Sequence, residues 1–117
     1  MKKLEIRIDP IKGRGVYAQE KIKKGELIEI CQLLLVPHEE AVDSLDPYVF
    51  MYNRKFLAVA LGNGSLFNHR NSPNARCYFE FKDKLLVFEA KTEIKIGEEI
   101  FINYGYSEAD KKKYGIV

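Results

Sequence analysis

Three short stretches hold the residues best suited to chemistry. The first, "SLFNHRNSPNAR" at 65–76, crowds Asn68, His69, Pro73 and Asn74 together behind the apolar run "FLAVALGNG". Asn and His offer donors and acceptors on side chain and backbone alike, a set that can read the edge of a purine ring. Pro73 stiffens the loop and holds Asn74 in place. On residue types alone, a loop capped by its own amides, with His69 as a structural histidine, also fits. The second stretch, "GRG" at 13–15, lets backbone come close to a ligand and can turn N–H groups towards a negative charge. A tight turn between strands would use the same residues, and no helix follows to complete a dinucleotide fingerprint. The third, "GEEIFINYGY" at 97–106, ends an apolar strand in Tyr104 and Tyr106. Each phenol can reach a cleft while its ring stays packed, or simply form an aromatic edge to the core.

Strands must position these groups, because helical periodicity is scarce. "LEIRI" alternates and stops at Asp9-Pro10. "KGRGVYA" predicts a strand after its glycines, and "KIKKGELIEICQLLLV" a Lys-Gly turn feeding a long apolar strand that stops at Pro37. "RKFLAVALG" is a further β-like run, and "ARCYFEFKDKLLVFEA" a hairpin turning at Lys82-Asp83-Lys84. Two segments read as short helices. "PHEEAVDSL" has proline at its start and acids in its first turn, and the tail "SEADKKKYGIV" has Ser107 as its cap. An internal echo, "IKKGELIEI" and "IKIGEEIFI", reads as two similar turns entering buried strands.

The 117 residues suffice for one domain, and 46% hydrophobic with 31% charged residues is the balance of a globular protein. A net charge of +2, with both signs intermixed, gives no electrostatic case for nucleic acid. Cys31 and Cys77 form no CxxC pair, so no metal site is expected. Two buried free thiols in a reducing compartment are expected, a single disulfide being the alternative. No run suits a signal peptide or approaches the roughly 20 apolar residues of a membrane span. The expectation is a soluble intracellular protein with no membrane partner.

Taken in order, the three stretches resemble the SET domain, the family of S-adenosylmethionine-dependent protein lysine methyltransferases. "GRGVYA" is similar to that family's G-x-G-[VL]-[FY]-A element, "FNHRNSPNAR" to its element built on N-H and P-N, and "GEEIFINYGY" to its G-E-E-[IL]-x-[IFV]-x-Y-G element. The similarity runs from about residue 5 to 106, with 107–117 as a C-terminal tail, and is greatest to minimal stand-alone SET proteins of the viral type. The resemblance implies a mostly β, β-clip-like fold of several small sheets, with one or two short helices. It also implies a pseudoknot, in which the N-H segment passes through a loop made by the C-terminal strand.

The resemblance further implies roles. Arg14 and Gly15, with Lys12 or Gly13 close by, contact the methionine end of S-adenosylmethionine. Asn68 and His69 hold its adenosine, and Tyr104 is the catalytic tyrosine beside the transferring methyl. Tyr48, in "DPYVFMYNR", lines the lysine channel. Ile102 stands where family members carry a Phe or Tyr that helps set the number of methyls; lacking a hydroxyl, it implies di- or trimethylation. Arg70 replaces the usual Ser or Cys after N-H, and Asn103 an Asp common before the tyrosine. No cysteine-rich post-SET element follows, so Tyr106 and the tail around Tyr114, or a partner subunit in a homodimer, must close the channel. The expected substrate is a lysine of a histone or histone-like protein, reached in the cytoplasm or, in a eukaryotic host, the nucleus. Rival readings are a SET-like binding module without activity, and a small β-barrel that stacks single-stranded nucleic acid on "CYFEFKDK".

Overall fold

The computed structural model describes residues 1–11 and 13–104; Lys12 and residues 105–117 lie outside the described part. Alternation in "LEIRI" builds β1 (Leu4–Asp9), which pairs antiparallel with β2 (Gly13–Ala18), Leu4 facing Ala18 and Asp9 facing Gly13. Gly13 sits at φ +82, a backbone conformation that disfavours a side chain. The long apolar run becomes β3 (Leu27–Pro37), the centre of a five-stranded antiparallel sheet. Its order is β4 (Val49–Met51), β5 (Phe56–Ala60), β3, β8 (Leu85–Ala90) and β7 (Ala75–Glu80). The expected hairpin is β7–β8, with Glu80 opposite Leu85 and Lys84 at φ +56 in its turn. This sheet curls on itself. Tyr52, just past the β4 edge, packs its ring against Phe79 on the opposite edge strand at 5.2 Å and against Phe81 at 5.1 Å.

A third, minimal sheet pairs β6 (Asn68–His69) with β9 (Phe101–Ile102) in parallel. Asn74, 6% exposed, staples the segments around this pair. Its Nδ2 donates to the Glu99 carbonyl (2.9 Å), its Oδ1 accepts from Phe101 N–H (2.8 Å), and its carbonyl accepts from Lys91 N–H (2.8 Å). This parallel pair sets the N-H segment beside the chain's last described strand, where the expected pseudoknot would form.

The echoing segments are related by a local two-fold arrangement. Ile22 and Ile94 exchange both backbone hydrogen bonds, at 2.9 and 2.8 Å. Gly25 N–H donates to the Ala90 carbonyl and Gly97 N–H to that of Ala18, while Ala90 and Ala18 N–H groups return bonds to the Glu26 and Glu98 carbonyls. Ile22, Ile28, Ile94 and Ile100 are fully buried and join Val16, Phe67, Phe88 and Ile102 in one core. Each large side chain removed from water there stabilises the fold by about 1.5–3 kcal/mol.

The "PHEEAVDSL" segment forms short helices of the 3-10 type, His38–Glu40 and Asp43–Tyr48, separated by extended Ala41 and Val42. Pro37 both ends β3 and caps the first of them, and Pro47 inside the second cannot donate to a continuing α-helix. The disulfide alternative is excluded: Cys31 and Cys77 are both free, the first buried and the second half-buried. The helical turn expected from Ser107 lies outside the described residues. Among the described residues, no helix is long and apolar enough to cross a membrane.

Candidate functional site

The three stretches singled out by residue type meet in space. β2 brings in Gly13, Arg14 and Gly15, β6 brings in Asn68 and His69, and β9 leads into Tyr104. Asn68 joins the first two: its Nδ2 donates to the Arg14 carbonyl at 2.8 Å and to Oε2 of Glu99 at 2.8 Å. Both amide hydrogens are thereby committed, so Oδ1 is the acceptor the side chain has left to offer. Gly15 is glycine because nothing larger fits, as a Cβ there would fall 2.6 Å from Oε2 of Glu99. Beside Gly13, by contrast, a Cβ would meet nothing within 4 Å, so backbone is open to an approaching ligand.

His69 joins the second stretch to the third. Its Nδ1 accepts the backbone N–H of Tyr104 at 2.9 Å, and its Nε2 lies 3.2 Å from Oδ1 of Asn71. An imidazole accepting at Nδ1 and donating from Nε2 satisfies both contacts, which assigns the neutral Nε2–H tautomer. The rings of His69 and Tyr104 pack against each other, tilted by 44°, at 5.0 Å between centroids. Tyr104 then donates its hydroxyl hydrogen to the Phe67 carbonyl at 2.7 Å, a bond that fixes the orientation of the phenol. Glu99, which the sequence offered only as half of a common Glu-Glu pair, is the hidden organiser here. Its carboxylate also lies near Tyr17, whose phenol is pushed up by burial first and by Glu99 second.

Tyr104 and Tyr48 open onto a cavity of about 520 Å³ inside the curled sheet, between its two edge strands. Phe50, Phe67, Phe79 and Leu86 supply apolar wall, and no Asp, Glu, Lys or Arg lines it among the described residues. Cys77 also faces it, its thiol pushed up to about 11 by burial and therefore unreactive. Tyr48 is tied to β2, since its hydroxyl accepts from Nη2 of Arg14 at 3.3 Å. Ile102 is fully buried in the core and is not among the lining residues. Arg70 lays its guanidinium over the Phe101 ring at 4.4 Å and donates to the Ser72 carbonyl, so it covers the β6–β9 pair. Tyr106, Tyr114 and Lys12 lie outside the described residues.

The family model for the SET domain matches residues 13–105 of the chain. Over 107 residues, 87% of this chain and 73% of the relative, it is 36% identical to the H3 lysine-37 specific histone-lysine N-methyltransferase of Schizosaccharomyces pombe. Among solved structures it resembles a candidate histone methyltransferase of Plasmodium falciparum, with TM-score 0.77, 32% identity, and coverage of 90% of this chain and 99% of that one. It also resembles part of a humanized mutant of the Chaetomium thermophilum Polycomb Repressive Complex 2, with TM-score 0.75 and 24% identity over 89% of this chain and 15% of that one. The last likeness is one of fold alone.

Proposed function

The chain belongs to the SET domain family and is a protein-lysine N-methyltransferase; from that premise we propose that it moves the methyl group of S-adenosylmethionine to a lysine of a histone or histone-like protein. One observation carries the proposal: a hydrogen-bonded path from Arg14 through Asn68 and His69 to Tyr104 ends at the mouth of an uncharged cavity. The residues present fit the methyl donor. A zwitterionic amino-acid end needs an acceptor for its ammonium and a cation for its carboxylate, and the Oδ1 of Asn68 and the guanidinium of Arg14 are of those types. Open backbone at Gly13 admits that end, and Asn68 with the backbone of His69 holds the nucleoside. When bound, S-adenosylmethionine supplies a methyl carbon made electrophilic by its sulfonium.

The chain's own residues solve the two remaining problems. A lysine in water, with a pKa of about 10.4, carries a proton and cannot attack. A channel walled by Tyr48, Phe50, Phe67 and Phe79, with no carboxylate to stabilise a cation, disfavours the ammonium and lowers that pKa. Confinement opposite the donor supplies alignment, a term that reaches roughly 7–11 kcal/mol in good cases. Because Tyr104 gives its hydroxyl hydrogen to Phe67, its oxygen accepts an N–H of the neutral amine and turns the nitrogen lone pair towards the methyl. An ionised phenol is not required for that task.

The substrate class rests on the histone-directed relatives, and such a substrate sets the work inside the cell, in the nucleus of a eukaryotic host. A histone peptide array incubated with the protein and radiolabelled S-adenosylmethionine tests the proposal. Labelled lysine on histone peptides is the expected result, and no transfer to any histone lysine would refute the substrate assignment.

A further inference from the structure

Glu29 is a charged residue in the interior that the chemistry above does not use. It lies near the start of β3, 7% exposed, and among the described residues it has no cationic partner. Its oxygens accept instead from neutral donors. Oε2 takes the Asn63 backbone N–H at 2.8 Å and the Cys31 thiol at 3.0 Å, and Oε1 takes Nδ2 of Asn63 at 2.9 Å. The chain is moulded around this carboxylate. A Cβ on Gly62, which sits at φ +76, would lie 2.8 Å from Oε2 of Glu29. A Cβ on Gly64 would lie 2.5 Å from that of Ala60 and 2.8 Å from Sγ of Cys31.

A buried carboxylate is costly unless its lone pairs are filled, so its presence calls for something that it alone holds in place. What it holds is the start of the 3-10 turn Gly64–Leu66, since Asn63 is the residue that caps that turn and accepts the Leu66 N–H at 2.9 Å. The turn delivers two groups to the channel. Ser65 Oγ accepts from Ala60 N–H at 2.9 Å and donates to the Tyr48 carbonyl at 2.7 Å. Phe67, the next residue after the turn, offers the carbonyl that receives the Tyr104 hydroxyl at 2.7 Å.

We propose that Glu29 is a positioning residue for methyl transfer: through Asn63 it sets the 62–67 loop so that Ser65 fixes Tyr48 and the Phe67 carbonyl orients the Tyr104 hydroxyl. This rests on Tyr48 and Tyr104 walling the lysine channel. Glu29→Gln replaces one acceptor with a donor that faces Nδ2 of Asn63. The double variant Glu29→Gln/Asn63→Asp restores the pairing with its amide and carboxylate ends exchanged. Measured well below each melting temperature, Glu29→Gln should lower kcat about tenfold with little change in the KM for S-adenosylmethionine. The double variant should recover most of that loss. Ile22→Val, a core change remote from the loop, should lower the melting temperature without moving kcat.

Amide exchange at Ala60 and Leu66 should quicken in Glu29→Gln and slow again in the double variant. Asn63→Ala gives the same readouts in milder form if Glu29→Gln does not fold. Unchanged kcat in a folded Glu29→Gln, or exchange at Ala60 and Leu66 that does not respond, would overturn the proposal. Since exchange needs no turnover, a wild-type protein that transferred no methyl would refute the function above without deciding this point.

Discussion

The segments 22–30 and 94–102 begin alike and end differently. In both, a glycine at positive φ (+84 for Gly25, +88 for Gly97) closes the turn. In both, a glutamate side chain caps the backbone N–H of the lysine three residues earlier: Lys23 to Glu26 at 2.7 Å and Lys95 to Glu98 at 2.8 Å. Both then bury an isoleucine completely, Ile28 and Ile100. Beyond that they diverge. The first limb continues as eleven residues of β3 in the middle of the large sheet, with Leu27 and Ile30 partly open to solvent at 38% and 40%. The second stops after two residues of β9. It carries Glu99 where the first has Leu27, and it delivers Tyr104 to the cavity. One turn design thus serves two ends. A strand that runs on builds the frame, and one that stops short against the parallel pair with β6 leaves its next residues free to form a site.

The largest effect that can test this difference is at Tyr104. Tyr104→Phe should cut methyl transfer by about 10²–10³, in line with the loss of a well-placed polar group at a reacting centre. Gln32, which follows Ile30 as Tyr104 follows Ile102, is exposed on the frame, so Gln32→Ala should leave the rate within about twofold. Steady-state transfer assays on the two variants measure both. Comparable losses would erase the distinction between the limbs.

The turns themselves should behave alike. Gly25→Ala and Gly97→Ala each force a side chain into left-handed backbone, at a cost of about 1–2 kcal/mol. Nothing crowds either position, so strain alone acts, and denaturant titrations should give matching losses.

The smallest effect is a pH dependence at the glutamate cap of the first limb. Glu26 is held below its ordinary value of 4.5 by the Lys23 backbone N–H first, and by the Lys2 side chain after it. A folded-state value that is depressed adds stability above the ordinary carboxylate range, and that stability is lost as pH falls through the folded value. Thermal melts of Glu26→Gln should therefore be less acid-sensitive below about pH 4.5 than those of the wild type. An unchanged acid slope would show that the cap carries no charge-dependent stability.

The sequence revealed the frame wherever apolar residues alternate or run on, as in β1, β3 and the β7–β8 hairpin, because burial on one or both faces writes itself into composition. The three candidate stretches stood out through their joint resemblance to the SET domain, since on residue types alone Gly15, Asn68, His69 and Tyr104 also suited a tight turn, a self-capped loop and an aromatic edge. The 37–45 segment was legible as short helix from its proline and acids, and it stays in short 3-10 turns because too few apolar positions follow to bury a longer one. Glu29 and Glu99 were invisible. A lone carboxylate in a strand looks solvent-facing, and only the folded chain reveals that Asn63 and Asn68 reach back to them. The parallel pairing of β6 with β9 left no periodicity in two residues, and only the family resemblance pointed to the N-H segment meeting the C-terminal strand.

Titration of isotope-labelled protein with S-adenosylhomocysteine, followed through its backbone amides, is the most direct check on the convergence of three distant stretches into one site. Saturable shifts should appear together at Arg14, Gly15, Asn68, His69 and Tyr104, with the frame limb at Gly25, Ile28 and Ile30 left unmoved. Shifts scattered over both limbs, or none at the five site residues at saturating ligand, would contradict that convergence.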